Sequence, residues 1–324
     1  MSYESHNAEK ELWEACSKGD LEQVQTLMAR HPRMDLNWKD EEYTRTAFYR
    51  ACFFGHADIV RVLLAAPTIE INHRQRQGAT AFNIACQEGR LEVVDLLLAD
   101  SRTDVITPDK LLASPFYFAC QDGHETIVAR LLADPRIEVN QLTDSSTSPL
   151  WITAQNGHLP LARLILASPC VVNTGVSTMS GSLSWHGTTA YTIGKRQAKS
   201  RKGSIESDED FAKRVTNGPL IADLIHEYEE NPVRVREEQR RHPTISKYFV
   251  AELFVLVVFH SDGYVRCGHK AGSNVARFFR IMDALPMEIQ MVLCNRTFSS
   301  PASLVLTLLS EHGFRKLGRS STWH

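Results

Sequence analysis

Alanine and cysteine followed by glycine recur in one frame along the first half of this chain. The copies are Ala15-Cys16 with Gly19, Ala51-Cys52 with Gly55, Ala85-Cys86 with Gly89, and Ala119-Cys120 with Gly123. Thr153-Ala154 with Gly157 is a fifth, altered copy. The first two glycines are 36 residues apart and each later pair is 34 apart. A fixed period in this range means stacked supersecondary units, each burying its apolar face only against its neighbours.

The third unit shows what is stacked. Thr80-Ala81-Phe82-Asn83-Ile84-Ala85-Cys86 predicts a short helix capped by Thr80 and ended by Gly89. Leu91, Val94 and Leu97-Leu98 then fall on one face of a second helix. A charged stretch follows, and the pattern restarts at Ser114-Pro115-Phe116. Four cysteines occupy one equivalent position in successive units. Equivalent positions in a stack lie roughly 10 Å apart, beyond the reach of a disulfide. They are expected as small apolar packing residues.

With 36 basic and 38 acidic side chains, the chain is not built to coat nucleic acid or a membrane. Its first ten residues lack the apolar stretch of a secretory signal. The most apolar run, 248–259, contains Glu252 and is too short to cross about 30 Å of hydrocarbon. A soluble, cytoplasmic protein is expected.

These units resemble ankyrin repeats. The family's T-P-L-H-x-A signature is similar to Thr46-Ala47-Phe48-Tyr49-Arg50-Ala51, Thr80-Ala81-Phe82-Asn83-Ile84-Ala85, Ser114-Pro115-Phe116-Tyr117-Phe118-Ala119 and Ser148-Pro149-Leu150-Trp151-Ile152-Thr153. Gly55-His56, Gly123-His124 and Gly157-His158 keep the family's G-H, with Gly89-Arg90 as a variant. Asn37, Asn72, Asn140 and Asn173 match its closing asparagine. The resemblance runs from about Glu9 to Asn173 and implies an all-α solenoid of helix pairs and β-turn fingers. The signature histidine, which ties neighbouring loops in the family, is replaced by Tyr49, Asn83, Tyr117 and Trp151. A different inter-repeat network is therefore expected.

The expected organisation is a polar tail over 1–10, five repeats over 11–173, a degenerate sixth over 174–230 and a helical module over 231–324. The sixth unit starts at Trp185-His186-Gly187-Thr188-Thr189-Ala190, but a polar insertion over 195–217 delays its second helix, expected at 219–225. The basic run 195–202 reads as a solvated loop, a nuclear-import signal or a patch for an anionic partner. Ser204 and Ser207 are candidate phosphorylation sites beside basic and acidic runs, where added negative charge would offset the basic run.

Beyond 231 the period is lost. A charged helix is expected at 237–242 before Pro243, then helices at 244–259 and 274–284, a third from Leu285 and a fourth at 304–309. Leu285-Pro286-Met287-Glu288-Ile289, Ser310, Phe314-Arg315-Lys316-Leu317 and Trp323 loosely resemble the outline of an F-box. That resemblance implies docking on a ubiquitin-ligase adaptor through Leu285, Pro286, Ile289 and Leu293. The alternative is a capping domain.

His260, Cys267, His269 and Cys294 lack the paired spacing of a zinc site, and no phosphate loop, nucleophile elbow or H-E-x-x-H helix occurs. No enzyme, cofactor or metal is expected. The resemblance implies partner binding on a concave face built from fingers and first helices. On the fingers this face would carry Tyr43, Arg45, Arg76, Gln77, Lys110 and Leu111. On the helices it would carry Phe53-Phe54, Gln87-Glu88, Gln121-Asp122 and Gln155-Asn156. Phe53 and Phe54 stand where the other copies are polar, so they are either a binding hot spot or packed on the first repeat or its finger. The sequence predicts a monomeric, non-catalytic scaffold for a protein partner, or alternatively a ligase adaptor.

Overall fold

A computed structural model describes residues 3–179, 186–203, 206–242, 244–246 and 248. Among these residues the fold is all-α, as the period predicts. The helix pairs are α1 (Tyr3–Lys18) and α2 (Leu21–Arg30), α3 (Ala47–Phe54) and α4 (Ala57–Leu64), and α5 (Ala81–Gln87) and α6 (Leu91–Ala99). They continue as α7 (Pro115–Gln121) and α8 (Glu125–Leu132), then α9 (Pro149–Asn156) and α10 (Leu159–Ala167). Next come α11 (Ala190–Gln197), α12 (Asp208–Glu230) and α13 (Pro232–Arg240).

Local chemistry sets the ends of the short helices. The side chains of Thr46, Thr80, Ser114 and Ser148, one period apart, each accept the backbone N–H of the residue three further on. Gly55 and Gly157 end α3 and α9 with φ of 82° and 70°, a region that penalises any side chain. Between these ends Phe48, Phe82, Phe116 and Leu150 repeat at one position and are at most 2% exposed. They form the apolar column of the stacked first helices α1, α3, α5, α7, α9 and α11. Cys16, Cys52, Cys86 and Cys120 are fully buried and free. Burial pushes the Cys16 thiol up to about 12 and raises those of Cys52, Cys86 and Cys120 well above the ordinary thiol value, so all four stay protonated.

Two sets of hydrogen bonds hold the register. The residue after each repeat glycine reaches the carbonyl two positions before the previous one. His56 Nε2 lies 3.4 Å from Ser17 O, Arg90 Nε donates to Phe53 O at 2.9 Å, and His124 and His158 Nε2 lie 2.7 and 3.0 Å from Gln87 O and Gln121 O. Arg90 does what the histidines do elsewhere. At the opposite ends, Asn37 joins Thr68 O and Glu70 N, and Asn72 joins Arg102 O and Asp104 N. Three of the four residues that replace the signature histidine still tie the loops. Asn83 Nδ2 donates to Thr107 O, Thr147 Oγ1 to the Tyr117 hydroxyl, and Trp151 Nε1 to Thr188 Oγ1, each at 3.2 Å.

Three expectations are corrected. The stretch 1–10 is not a tail, because α1 already runs from Tyr3 and buries Ala8 and Glu9. Ala8, Leu12, Ala15 and Cys16 share a helical face, and Glu9 Oε1 accepts the backbone N–H of Asp35. The insertion 195–217 is mostly helical, since 195–197 end α11 and 208–217 begin α12. Only 198–207 connects them. The physical cause is the missing glycine: Ala198 ends α11 in a right-handed conformation where the other copies turn left. The charged helix expected at 237–242 is the end of a longer one that starts at Pro232, capped by Asn231. The helices expected at 274–284, from 285 and at 304–309, together with Ser204, Trp185, Leu285, Pro286, Ile289 and Leu293, lie outside the described residues. So does most of the helix expected at 244–259.

The chain divides into two compact units. Among the described residues, one comprises those within 1–131, 135–161 and 172–222; the other comprises 132–134, 162–171 and those from 223 to 248. In the second unit Arg236 Nη2 donates to Cys170 O and to the Tyr228 hydroxyl, and Arg240 Nε donates to Ala167 O. Cationic side chains thus satisfy carbonyls at and beyond the end of α10.

Candidate protein-binding face

Each finger is a tight turn joined to the next by one backbone hydrogen bond. Arg76 N donates to Tyr43 O, Lys110 N to Gln77 O, Asp144 N to Leu111 O and Met179 N to Ser145 O, at 2.8 to 3.1 Å. These bonds fix the finger tips in a row. Thr44, Gly78, Leu112 and Ser146 stand at one turn position with positive φ, so three of the four copies hold a side chain in the left-handed region. Leu112 is one of them, and it is 49% exposed beside Leu111 at 60%. Leu112 is thus both strained and exposed, and with Leu111 it puts an apolar pair in solvent at that finger tip.

None of the residues expected on the face is buried. Phe54, Arg76, Gln77, Lys110, Leu111 and Asp122 are exposed, and Tyr43, Arg45, Phe53, Gln87, Glu88, Gln121, Gln155 and Asn156 are half-buried. The helix-borne ones share a position in the repeat and hence one side of the stack. Phe53 and Phe54 stand side by side at the end of α3. Their rings meet edge to face at 4.9 Å, and Phe54 stays exposed. Between Phe54 and Trp13 of the first unit lies the guanidinium of Arg50, 4.6 Å from each ring centroid. Arg50 and Trp13 were missed by the sequence reading. The signal was present: the position of Arg50 is Ile84, Phe118 and Ile152 in the later copies.

Further along the same unit is a cleft of about 620 Å³, lined among others by Gln121, Asp122, Gln155, Asn156 and His158 and by the connection after α11. Arg214 closes it. Its Nε and Nη2 each lie 2.7 Å from a Glu206 oxygen, and Nη1 binds Gln197 Oε1 and Ser200 Oγ. Arg214 and Lys213 also occupy the space beside Gly157 that a histidine or arginine fills beside the earlier glycines. Burial lowers the pKa of His158, which keeps it neutral at pH 7. Ser207 is exposed and caps α12: its hydroxyl donates to Asp210 Oδ2 and accepts Asp210 N–H.

The two hydrogen bonds from Arg214, with Gly203 N–H, hold Glu206 down to about 2. A folded pKa depressed below the ordinary carboxylate value gives stabilisation that is complete above about pH 4.5. It is lost as pH falls through 2. Glu206→Gln is therefore expected to lower stability by about 1 kcal/mol at pH 7, the usual scale for a solvent-accessible pair. In urea titrations across pH, its gap from the parent protein closes between pH 5 and 2. A gap that stays constant would show that the pairing, as opposed to side-chain packing, contributes nothing.

Among the described residues no group of three or more acidic, histidine or cysteine side chains is placed to hold a metal ion, and no helix is long and apolar enough to cross a membrane. Residues 12–109 match a family model described as ankyrin repeats (3 copies). No curated protein matches the chain.

Proposed function

We propose that this chain, an ankyrin-repeat protein over residues 12–109, is a non-catalytic scaffold that holds a protein partner on the face built from its fingers and first helices. Ankyrin repeats generally mediate protein–protein interaction, and the family is generally non-catalytic. The observation that supports the reading is the row of finger tips, fixed by one backbone bond per step and carrying solvent-facing Arg76, Lys110 and Leu111. A finger backbone already fixed in a row binds without the cost of ordering that backbone first.

The test is proximity labelling in cells with the parent protein and a Phe53→Ala/Phe54→Ala variant. The expected outcome is a set of neighbours labelled by the parent and lost, or reduced about tenfold or more, with the variant, since paired aromatics at an interface typically carry 2 kcal/mol or more. Identical labelling by both proteins would remove this part of the face from the binding site.

A further inference from the structure

We propose that Arg50 is a carboxylate-recognition site that docks an acidic segment of the partner protein, an aspartate or glutamate flanked by an apolar side chain. This rests on the protein-binding reading above and gives the partner its chemistry. The Arg50 guanidinium lies over the rings of both Trp13 and Phe54, 4.6 Å from each centroid, and its Nε donates to Ser17 Oγ at 3.0 Å. Among the described residues its two Nη groups have no hydrogen-bond partner, and they are not buried. An arginine so held presents a fixed pair of N–H donors, which is the geometry a carboxylate accepts. The rings restrict the side chain before anything binds, so little freedom is lost on binding.

The charges around Arg50 point the same way. Arg45 lies close enough to repel it, with a guanidinium 3.9 Å above the Tyr43 ring. Asp40 is the carboxylate that acts on Arg50, but its oxygens are taken by the N–H groups of Tyr43 and Arg45 at 2.6 and 2.8 Å. Glu42 is hydrogen-bonded to the Tyr43 hydroxyl. Two cationic groups therefore face solvent beside an exposed phenylalanine ring.

The same face carries the opposite sign in the next repeats. Where the second unit has Arg50 with Phe53-Phe54, the third has Ile84 with Gln87-Glu88 and the fourth has Phe118 with Gln121-Asp122. One backbone frame thus offers cations and aromatics at one end and acids after it. An acidic, partly apolar segment is attracted to the first end and repelled from the second.

The experiment pans a displayed library of random short peptides against the full chain. Selected peptides are expected to share an acidic residue next to an apolar one. Changing that acid to its amide should weaken binding about tenfold or more, a loss of 1.4 kcal/mol. Arg50→Lys keeps the charge but not the fork, and is expected to weaken the same peptides about tenfold. Phe54→Ala leaves the arginine and removes one ring, and should weaken them several-fold. Thermal melting monitored by circular dichroism checks that each variant is folded.

Selected peptides without acid enrichment, or equal binding by Arg50→Lys, would overturn this proposal and leave the protein-binding reading intact. No selected peptide at all would count against both. Self-association abolished by Arg50→Lys, with no acidic peptide selected, would make a second copy the occupant and overturn the proposal as well.

Discussion

Phe82→Ala is expected to lower the unfolding free energy by about 3–5 kcal/mol, while Phe82→Leu costs no more than about 1.5 kcal/mol. Phe82 is 1% exposed and sits in the column of Phe48, Phe116 and Leu150. Alanine leaves a cavity between consecutive first helices, which the neighbouring units fill only partly because each is held by its own registering bonds. Leucine is already accepted at this position in the fifth copy, Leu150. The unfolding of a stacked array follows the strength of its nearest-neighbour interfaces. The alanine variant should therefore separate the units on either side, seen as a broader urea transition with reduced apparent cooperativity. Equal midpoints for the alanine and leucine variants would show that the column is not tightly packed.

The second large effect is expected at Gly218→Ala, with a loss of about 2 kcal/mol despite a gain of about 1 kcal/mol in helix propensity. Gly218 lies inside α12, opposite Gly194 of α11. A Cβ there would stand 2.5 Å from Gln197 Cβ and 2.8 Å from Gly194 O, contacts that force the two helices apart. Gly218 also precedes Pro219, and a side chain before proline disfavours the helical conformation. Separation of α11 from α12 would release Arg214 from Gln197 and loosen the cleft wall. Amide hydrogen exchange over 190–222 should rise in the variant while 47–99 is unchanged. An unchanged or raised midpoint would show that the helices have room to accept a methyl group.

These two glycines show where the sequence was readable and where it was not. The period made 44–157 legible almost residue by residue, since caps, apolar column, cysteines and left-handed glycines each recur in place. The sixth unit broke the pattern at two positions. Gly194 replaces the frame alanine, because Gly218 O would lie 2.7 Å from any Cβ there. Ala198 replaces the closing glycine, so α11 does not turn directly into its partner. Both substitutions are visible in the sequence, but their reason is a helix that begins ten residues later. Polar composition suggested an insertion, whereas α12 extends through it with Asp208, Glu209 and Asp210 in its first turn.

The face was legible as positions and not as chemistry. Repeat frame alone placed Tyr43, Arg45, Phe53, Phe54, Arg76, Gln77, Lys110 and Leu111 at solvent-accessible sites, because equivalent positions in a stack share an environment. It overlooked Arg50, whose position in later copies is filled by Ile84, Phe118 and Ile152.

By itself the sequence determined the all-α stack, its period, its buried cysteines and the side on which side chains remain exposed. These follow from local rules of capping, turn conformation and apolar spacing that act within one repeat. The tertiary structure alone decided that Trp13 and Phe54, 41 positions apart in the chain, close on one guanidinium, and that Arg214 takes the place of the missing histidine beside Gly157. Both depend on distances between units, set by how closely the backbones approach, which no single repeat encodes.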